Sequence, residues 1–271
     1  MRDGYVHGYA PREGERLEDQ ARALESLLHG DVRYAPGSRV LEAGCGTGAQ
    51  TVALARNSPG ARFSGLDISA PSLAQAGERV ARAGLANVEF VRGDLADPPF
   101  PPGSFDHAFV CFVLEHLPDP AATLARIGAL LRPGGTVTVI EGDHGSALPH
   151  PDHPAAHAAV ACQVELQRAA GGDARIGRRL YPLLAAAGFS DVRAGPVVAY
   201  ADGGDPAMQA AFTLGTFTAM VEGVRERALA AGLATAEGFD AGINALRRAA
   251  EPDGTFTYVF YKAVAIRGQD P

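Results

Sequence analysis

The chain has 271 residues, 46% of them hydrophobic and 20% charged, enough to bury one sizeable core with decorations. Lys and Arg number 24 against 31 Asp and Glu, a net charge of −7, so the field of the whole protein repels polyanions and nucleic acid is a poor candidate partner. No apolar run approaches the roughly 20 residues of a membrane span, the start lacks an apolar core, and the three cysteines (Cys45, Cys111, Cys162) include no CxxC pair; a soluble, cytoplasmic protein with free thiols is expected.

In chain order, Leu17, Ala21, Leu24 and Leu28 recur at helical spacing and predict an amphipathic helix over about 15–29. Five short apolar segments follow: SRVLEAG, ARFSGLDI, NVEFVRGD, FDHAFVCF and TVTVIEGD. Ala-rich helical segments at about 47–57, 70–84 and 119–131 separate them, which is the βαβ rhythm of a parallel sheet covered on both faces. After residue 142 the rhythm breaks into a Pro and His stretch, with helices expected at 155–170 and 177–187. FSDVRAGPVVAY (189–200) resumes as a strand, a helical excursion covers about 206–250, and TFTYVFYKAVAI closes the chain as the last strand. One α/β domain with helical insertions fits this order.

VLEAGCGTGAQT (40–51) ends a strand at Glu42 and carries Gly44, Gly46 and Gly48 into a helix, so backbone can approach a ligand beside a helix N-terminus. Taken alone it also satisfies the G-x-G-x-x-A dinucleotide pattern, with Asp67 about 20 residues on, and a glycine turn needed only for helix packing stays open. The remaining segments, LDIS (66–69), GD (93–94) and LRPGG (131–135), complete a set over residues 38–142 that resembles the class I S-adenosylmethionine (SAM) dependent methyltransferases, in their small-molecule branch of quinone-biosynthesis and bacterial natural-product enzymes. The resemblance implies a Rossmann-like fold: a mostly parallel seven-stranded sheet, helices on both faces, and helical insertions covering the active site. It implies SAM as methyl donor and S-adenosylhomocysteine as product. It also implies that Glu42, Gly44, Gly46 and Gly48 face the methionine part, Asp67 with Ile68 the ribose, and Asp94 with Leu95 the adenine. A cationic donor with two adjacent ribose hydroxyls suits these carboxylates, whereas a nicotinamide enzyme leaves Glu42, Asp94 and LRPGG less well explained.

DPPF (97–100) imitates the motif of nucleic-acid amino-methyltransferases, but it precedes the fourth strand where theirs follows it, and a proline-restricted turn is expected instead. VCFVLEHLPD (110–119) sits at the proper strand end and resembles the segment that opens the next helix beside the donor. By that likeness Cys111, Phe112 and His116 are donor-side residues, Phe112 and Val113 floor the transfer site, and Cys111 is a small buried residue with no nucleophilic duty. The N-terminal segment YVHGYAPREGER, with Tyr5, His7, Tyr9, Arg12 and Arg16, is expected to fold over the donor as a lid rather than trail as a tail.

Residues 140–157, IEGDHGSALPHPDHPAAH, hold four of the eight histidines. Ligands of open parallel sheets bind beyond the strands' carboxyl ends, so Glu141, Asp143 and His144 are expected to line the acceptor, with Tyr9 assisting, as acceptors of a proton where the methylated atom carries one. His150, His153 and His157 have zinc-ligand residue types at close spacing, but no supporting cysteine or carboxylate motif, and are read as loop residues with no metal. Phe212, Phe217 and Met220 suit an apolar acceptor equally with an ordinary helix core. The expected organisation is one domain: a lid and helix (1–30), a SAM-binding core (38–142) and acceptor-covering insertions (143–176 and 201–254). The expected activity is methylation of a small, mostly aromatic or apolar metabolite at carbon, nitrogen or oxygen, with indole C3 in secondary metabolism tested first. The alternatives are a SAM-binding regulator without turnover and an NAD(P)-dependent oxidoreductase. The partner is a small-molecule acceptor, with a homodimer allowed and no nucleic acid or membrane.

Overall fold

The computed structural model describes residues 24–268. Seven strands join one sheet in the order β3-β2-β1-β4-β5-β7-β6. They are β1 (Arg39–Ala43), β2 (Arg62–Asp67), β3 (Val88–Arg92), β4 (Phe105–Cys111), β5 (Leu131–His150), β6 (Phe189–Asp202) and β7 (Thr255–Arg267). β1 pairs in parallel with β2 and β4, β2 with β3, and β4 with β5, as the alternation of apolar strands and Ala-rich helices requires. The polypeptide divides into two compact units, and the division falls within β5, β6 and β7.

The first unit comprises residues 25–141, 177–195 and the chain from Tyr261. Its central strands are buried on both faces, with Val40, Leu41, Leu66, Phe109 and Val110 fully inside. Three helices follow the strand ends: α1 (Ala49–Asn57), α2 (Ala70–Arg82) and α3 (Pro120–Leu130). The caps of α2 and α3 are written in the chain: the Ser69 hydroxyl accepts the Ser72 N–H (3.3 Å), and the Asp119 carboxylate accepts the Ala122 N–H (2.9 Å), each with a proline in the first turn. Of the helix expected over 15–29, the described part is one wide turn, Glu25–His29, with Leu24 and Leu28 buried as the spacing predicts.

The second unit, as described, comprises Leu24, Gly142–Ile176 and Pro196–Phe260. It is built on α4 (Pro154–Ala169) and the last long helix, α5 (Ala236–Arg248), which meet where Gly242 leaves room for α4: a Cβ there would lie 2.4 Å from the Ala155 carbonyl oxygen. The helical excursion is present but broken. Gln209–Thr218 winds as a π-helix, in which the Thr216 and Thr218 hydroxyls bond the carbonyls five residues back, at 2.9 and 2.7 Å.

One expectation needs correction. The strand rhythm does not break after residue 142; β5 continues to His150, which stands at a strand end rather than in a loop. The polar side chains of this part of β5 are taken inside because each finds a partner there, and Glu141, Asp143 and His144 are all buried. Among the described residues no helix is long and apolar enough to cross a membrane.

Candidate active site

The carboxyl ends of β1, β2 and β4 lie side by side with Ile140, midway along β5, in the first unit, since Ala43 pairs with Leu66 and with Val110, and Cys111 with Ile140. From β1 the chain turns over its neighbour, and the N–H groups of Gly44 and Cys45 both donate to the Leu66 carbonyl (2.8 and 3.0 Å). Gly44, Gly46 and Gly48 are all left-handed, with φ of 73°, 52° and 73°, a conformation that L side chains rarely adopt. A Cβ on Gly44 would meet Val113 at 2.6 Å and one on Gly48 would meet Ala76 at 2.9 Å, whereas a Cβ on Gly46 would meet nothing within 4 Å. Gly44 and Gly48 therefore serve packing. Gly46 keeps an open space.

Asp67 borders the loop. Its two carboxylate oxygens accept the Gly46 N–H (2.9 Å) and the Ser69 N–H (2.8 Å), leaving about two of the four lone-pair positions of a carboxylate for a ligand. Ile68 beside it is 56% exposed, unusual for its size. Asp94 is exposed in the turn after β3, where its side chain accepts the Ala96 N–H (2.8 Å), and Leu95 is half-buried in the same turn. Glu42 is buried, with the Thr51 hydroxyl donating to it at 2.6 Å; burial, opposed by that bond and reinforced by Asp67, pushes its pKa up to about 8.

At the end of β4, Phe112 holds a left-handed φ of 58°, strained for a residue with a side chain. The turn that follows is fastened by Glu141, one of whose oxygens accepts the N–H groups of Val113 (3.0 Å) and Leu114 (2.7 Å), while the other is buried with no hydrogen-bond partner among the described residues. Burial, then the nearby charge of Glu115, raises the Glu141 pKa well above the carboxylate range against those backbone bonds. Cys111 is half-buried and His116 closes the short turn Leu114–His116, with its Nε2 3.6 Å from the Glu115 carboxylate.

In the second unit His144 Nδ1 lies 2.6 Å from the Tyr258 hydroxyl. Tyr258 stands among Phe212, Phe217, Phe256 and Phe260, and Phe217 also meets the His144 ring edge-on at 6.1 Å. Met220 is likewise buried. The hydroxyl passes so close to Gly142 that a Cβ there would sit 2.3 Å from it. Asp143 accepts the Gly145 N–H at 3.0 Å. Tyr258 and Gly142 escape a motif search. The available signal was a lone hydroxyl among the inward positions 256, 258 and 260 of an otherwise Phe-lined strand.

A methyltransferase-domain family model matches residues 40–135. Trans-aconitate 2-methyltransferase of Deinococcus radiodurans is 32% identical over 185 residues, 67% of this chain and 66% of that protein. Demethylmenaquinone methyltransferase of Bacillus cytotoxicus is 36% identical over 118 residues, 43% of this chain and 49% of that one. The chain thus spans less than two thirds of the length of these relatives. The chain belongs to the class I methyltransferases. A solved structure of the Haemonchus contortus phosphoethanolamine N-methyltransferase 2, in complex with phosphomonomethylethanolamine and S-adenosylhomocysteine, shares the fold: the TM-score is 0.58 at 20% identity, over 93% of this chain and 53% of that one.

Other residues that the sequence singled out fall elsewhere. Tyr9, with Tyr5, His7, Arg12 and Arg16, lies outside the described residues. His150 is exposed at the end of β5, His153 caps α4 by accepting the Ala155 N–H (3.1 Å), and His157 pairs with Asp152 (2.5 Å). DPPF is a packed turn, in which Pro99 closes over Gly93 and Phe100 meets Phe105 edge-on at 5.0 Å.

The raised Glu42 pKa carries a pH prediction. Between its ordinary 4.5 and about 8 the folded protein holds a proton that the unfolded chain has released, so this group destabilises the fold as pH rises through that window. Glu42→Gln removes the titration. Its melting temperature relative to the parent should climb between pH 5 and pH 8.5, by about 5 °C at the upper end. Parallel melting curves across that range would show that Glu42 does not titrate there.

Proposed function

We propose that this protein transfers a methyl group from SAM to a small, mostly apolar acceptor. The observation that carries the reading is the left-handed glycine loop at the end of β1, with open space at Gly46 beside a carboxylate, Asp67, that keeps unused lone pairs. Glu42 and the Gly44 to Gly48 loop hold the methionine part, Asp67 and Ile68 the ribose, and Asp94 with the Leu95 backbone the adenine. Cys111, Phe112 and His116 complete the donor side. The set fits SAM because the donor is cationic near Glu42 and offers two adjacent hydroxyls to Asp67. Bound SAM supplies a methyl group already activated by its positively charged sulfur.

The protein's own contribution is alignment and dryness. Phe112 and the turn held by Glu141 form a rigid floor, and orientation of this kind contributes several kcal/mol. Where the methylated atom carries a proton, His144 accepts it, held in one ring orientation by Tyr258; Asp143 shapes the neighbouring turn. The aromatic residues around Tyr258 support an aromatic or apolar acceptor, and methylation at indole C3 is the first specific reaction to test.

Asp67→Ala should weaken SAM binding by about 1.5 to 3 kcal/mol, the worth of hydrogen bonds to a charged group, as read by calorimetry. Unchanged affinity, or tighter binding of NADH than of SAM by the parent protein, would overturn the donor assignment. Transfer of tritium from methyl-labelled SAM to an extractable product separates an enzyme from a SAM-binding regulator.

A further inference from the structure

Thr51 belongs to the first unit, stands in the first turn of α1 and is fully buried. A threonine inside a helix ordinarily turns its hydroxyl to water or to the carbonyl four residues back. Thr51 instead donates across to β1, to Glu42 Oε2 at 2.6 Å. The same hydroxyl oxygen lies 3.5 Å from where a Cβ on Gly48 would stand, so it sits against the last of the three left-handed glycines. The bond spans the loop, joining the strand that enters it to the helix that leaves it.

Glu42 is near enough to Asp67 for the two charges to oppose each other, and Asp67 accepts the Gly46 N–H beside the open space. The Glu42 charge is also felt at Cys45 of the loop and at Cys111 ending β4. Its carboxyl group therefore lies within electrostatic reach of the loop and of both neighbouring strand ends. A hydroxyl suits such an acid in either protonation state, because it donates to the carboxylate and accepts from the protonated form, so one rotamer is held throughout. When it donates, it opposes the burial that favours the protonated acid.

We infer that Thr51 is a positioning residue for the donor: its hydroxyl holds the Glu42 carboxylate in the orientation that receives the methionine part of SAM. The inference rests on the reading of Glu42 and the glycine loop proposed above. Thr51 has no exposed surface, so it acts on the ligand only through Glu42. Asp67 and Asp94, which serve the ribose and the adenine in that reading, make their hydrogen bonds to backbone N–H groups and not to Thr51. Loss of the hydroxyl is therefore felt by ligands that carry the amino-acid part and not by those that lack it.

Two ligands separate this role from a structural one: S-adenosylhomocysteine, which has the amino-acid part, and 5′-methylthioadenosine, which has the ribose and adenine without it. In calorimetric titrations Thr51→Val, close in shape but without the hydroxyl, should weaken S-adenosylhomocysteine binding about tenfold, while 5′-methylthioadenosine stays within about twofold of the parent. Thr51→Ser, which restores the hydroxyl, should recover most of the loss. In a Glu42→Gln background the same Thr51→Val change should cost little more, because the residue it acts through is already altered. Thr51→Ala takes the place of Thr51→Val should thermal unfolding show that variant not to be folded. Unchanged S-adenosylhomocysteine affinity, or an equal loss for both ligands, overturns the inference and leaves the donor reading standing. Failure of the parent protein to bind S-adenosylhomocysteine would remove both.

Discussion

Gly44→Ala should cost the fold about 2 to 5 kcal/mol, the sum of a left-handed alanine and an overpacked contact. The added methyl would enter the Val113 side chain at 2.6 Å, and Val113 cannot retreat freely because its N–H is tied to Glu141. Gly46→Ala differs in kind. Its φ of 52° also penalises alanine, but its methyl meets no atom of the protein, so the fold should lose only about 1 to 2 kcal/mol. What it fills is the space beside Asp67, and affinity for S-adenosylhomocysteine should fall about tenfold or more, equivalent to about 1.4 kcal/mol. Thermal unfolding and titration of both variants read the two effects apart. Native affinity in Gly46→Ala would mean that the open space does not belong to the donor.

The contrast marks what local sequence can carry. E-x-G-x-G-x-G names three glycines without distinguishing them, because their tasks depend on Val113 and Ala76, which other elements bring in. The five leading strands and their helices were legible, since each is a short apolar run closed by its own turn or cap, as at Ser69 and Asp119. The Asp67 position was legible too, through its distance from the loop.

That β5 runs on past residue 142 to His150 is hidden for the opposite reason. Four histidines, three carboxylates and three prolines within 140–157 look like a solvated loop, and nothing local reveals that Tyr258, 114 residues beyond His144, supplies the partner that lets it go inside. The left-handed Phe112 is equally invisible, since its conformation is sustained by a turn that Glu141 fastens from another strand. The π-helix at Gln209–Thr218 hides behind an ordinary helical composition, and depends on threonine hydroxyls reaching back five residues.

His144→Ala should lower the methylation rate by about a hundredfold or more for an acceptor that must lose a proton, with SAM affinity nearly unchanged. His144 is buried, so thermal unfolding must first show that the variant is folded at the assay temperature. Tyr258→Phe keeps the ring packing and removes the hydroxyl bonded to Nδ1; it should shift the pH profile of turnover toward a less firmly held imidazole, a change that a purely structural tyrosine would not produce. His150→Ala and His157→Ala should leave the rate within about twofold, and His153→Ala should cost only a helix cap, about 0.5 to 2 kcal/mol of stability. A chelator should have no effect. Loss of activity on chelation, restored by zinc, would make the later histidines a metal site. Full rate in His144→Ala would leave catalysis to positioning alone, and the acceptor would then be an amine whose attack needs no base.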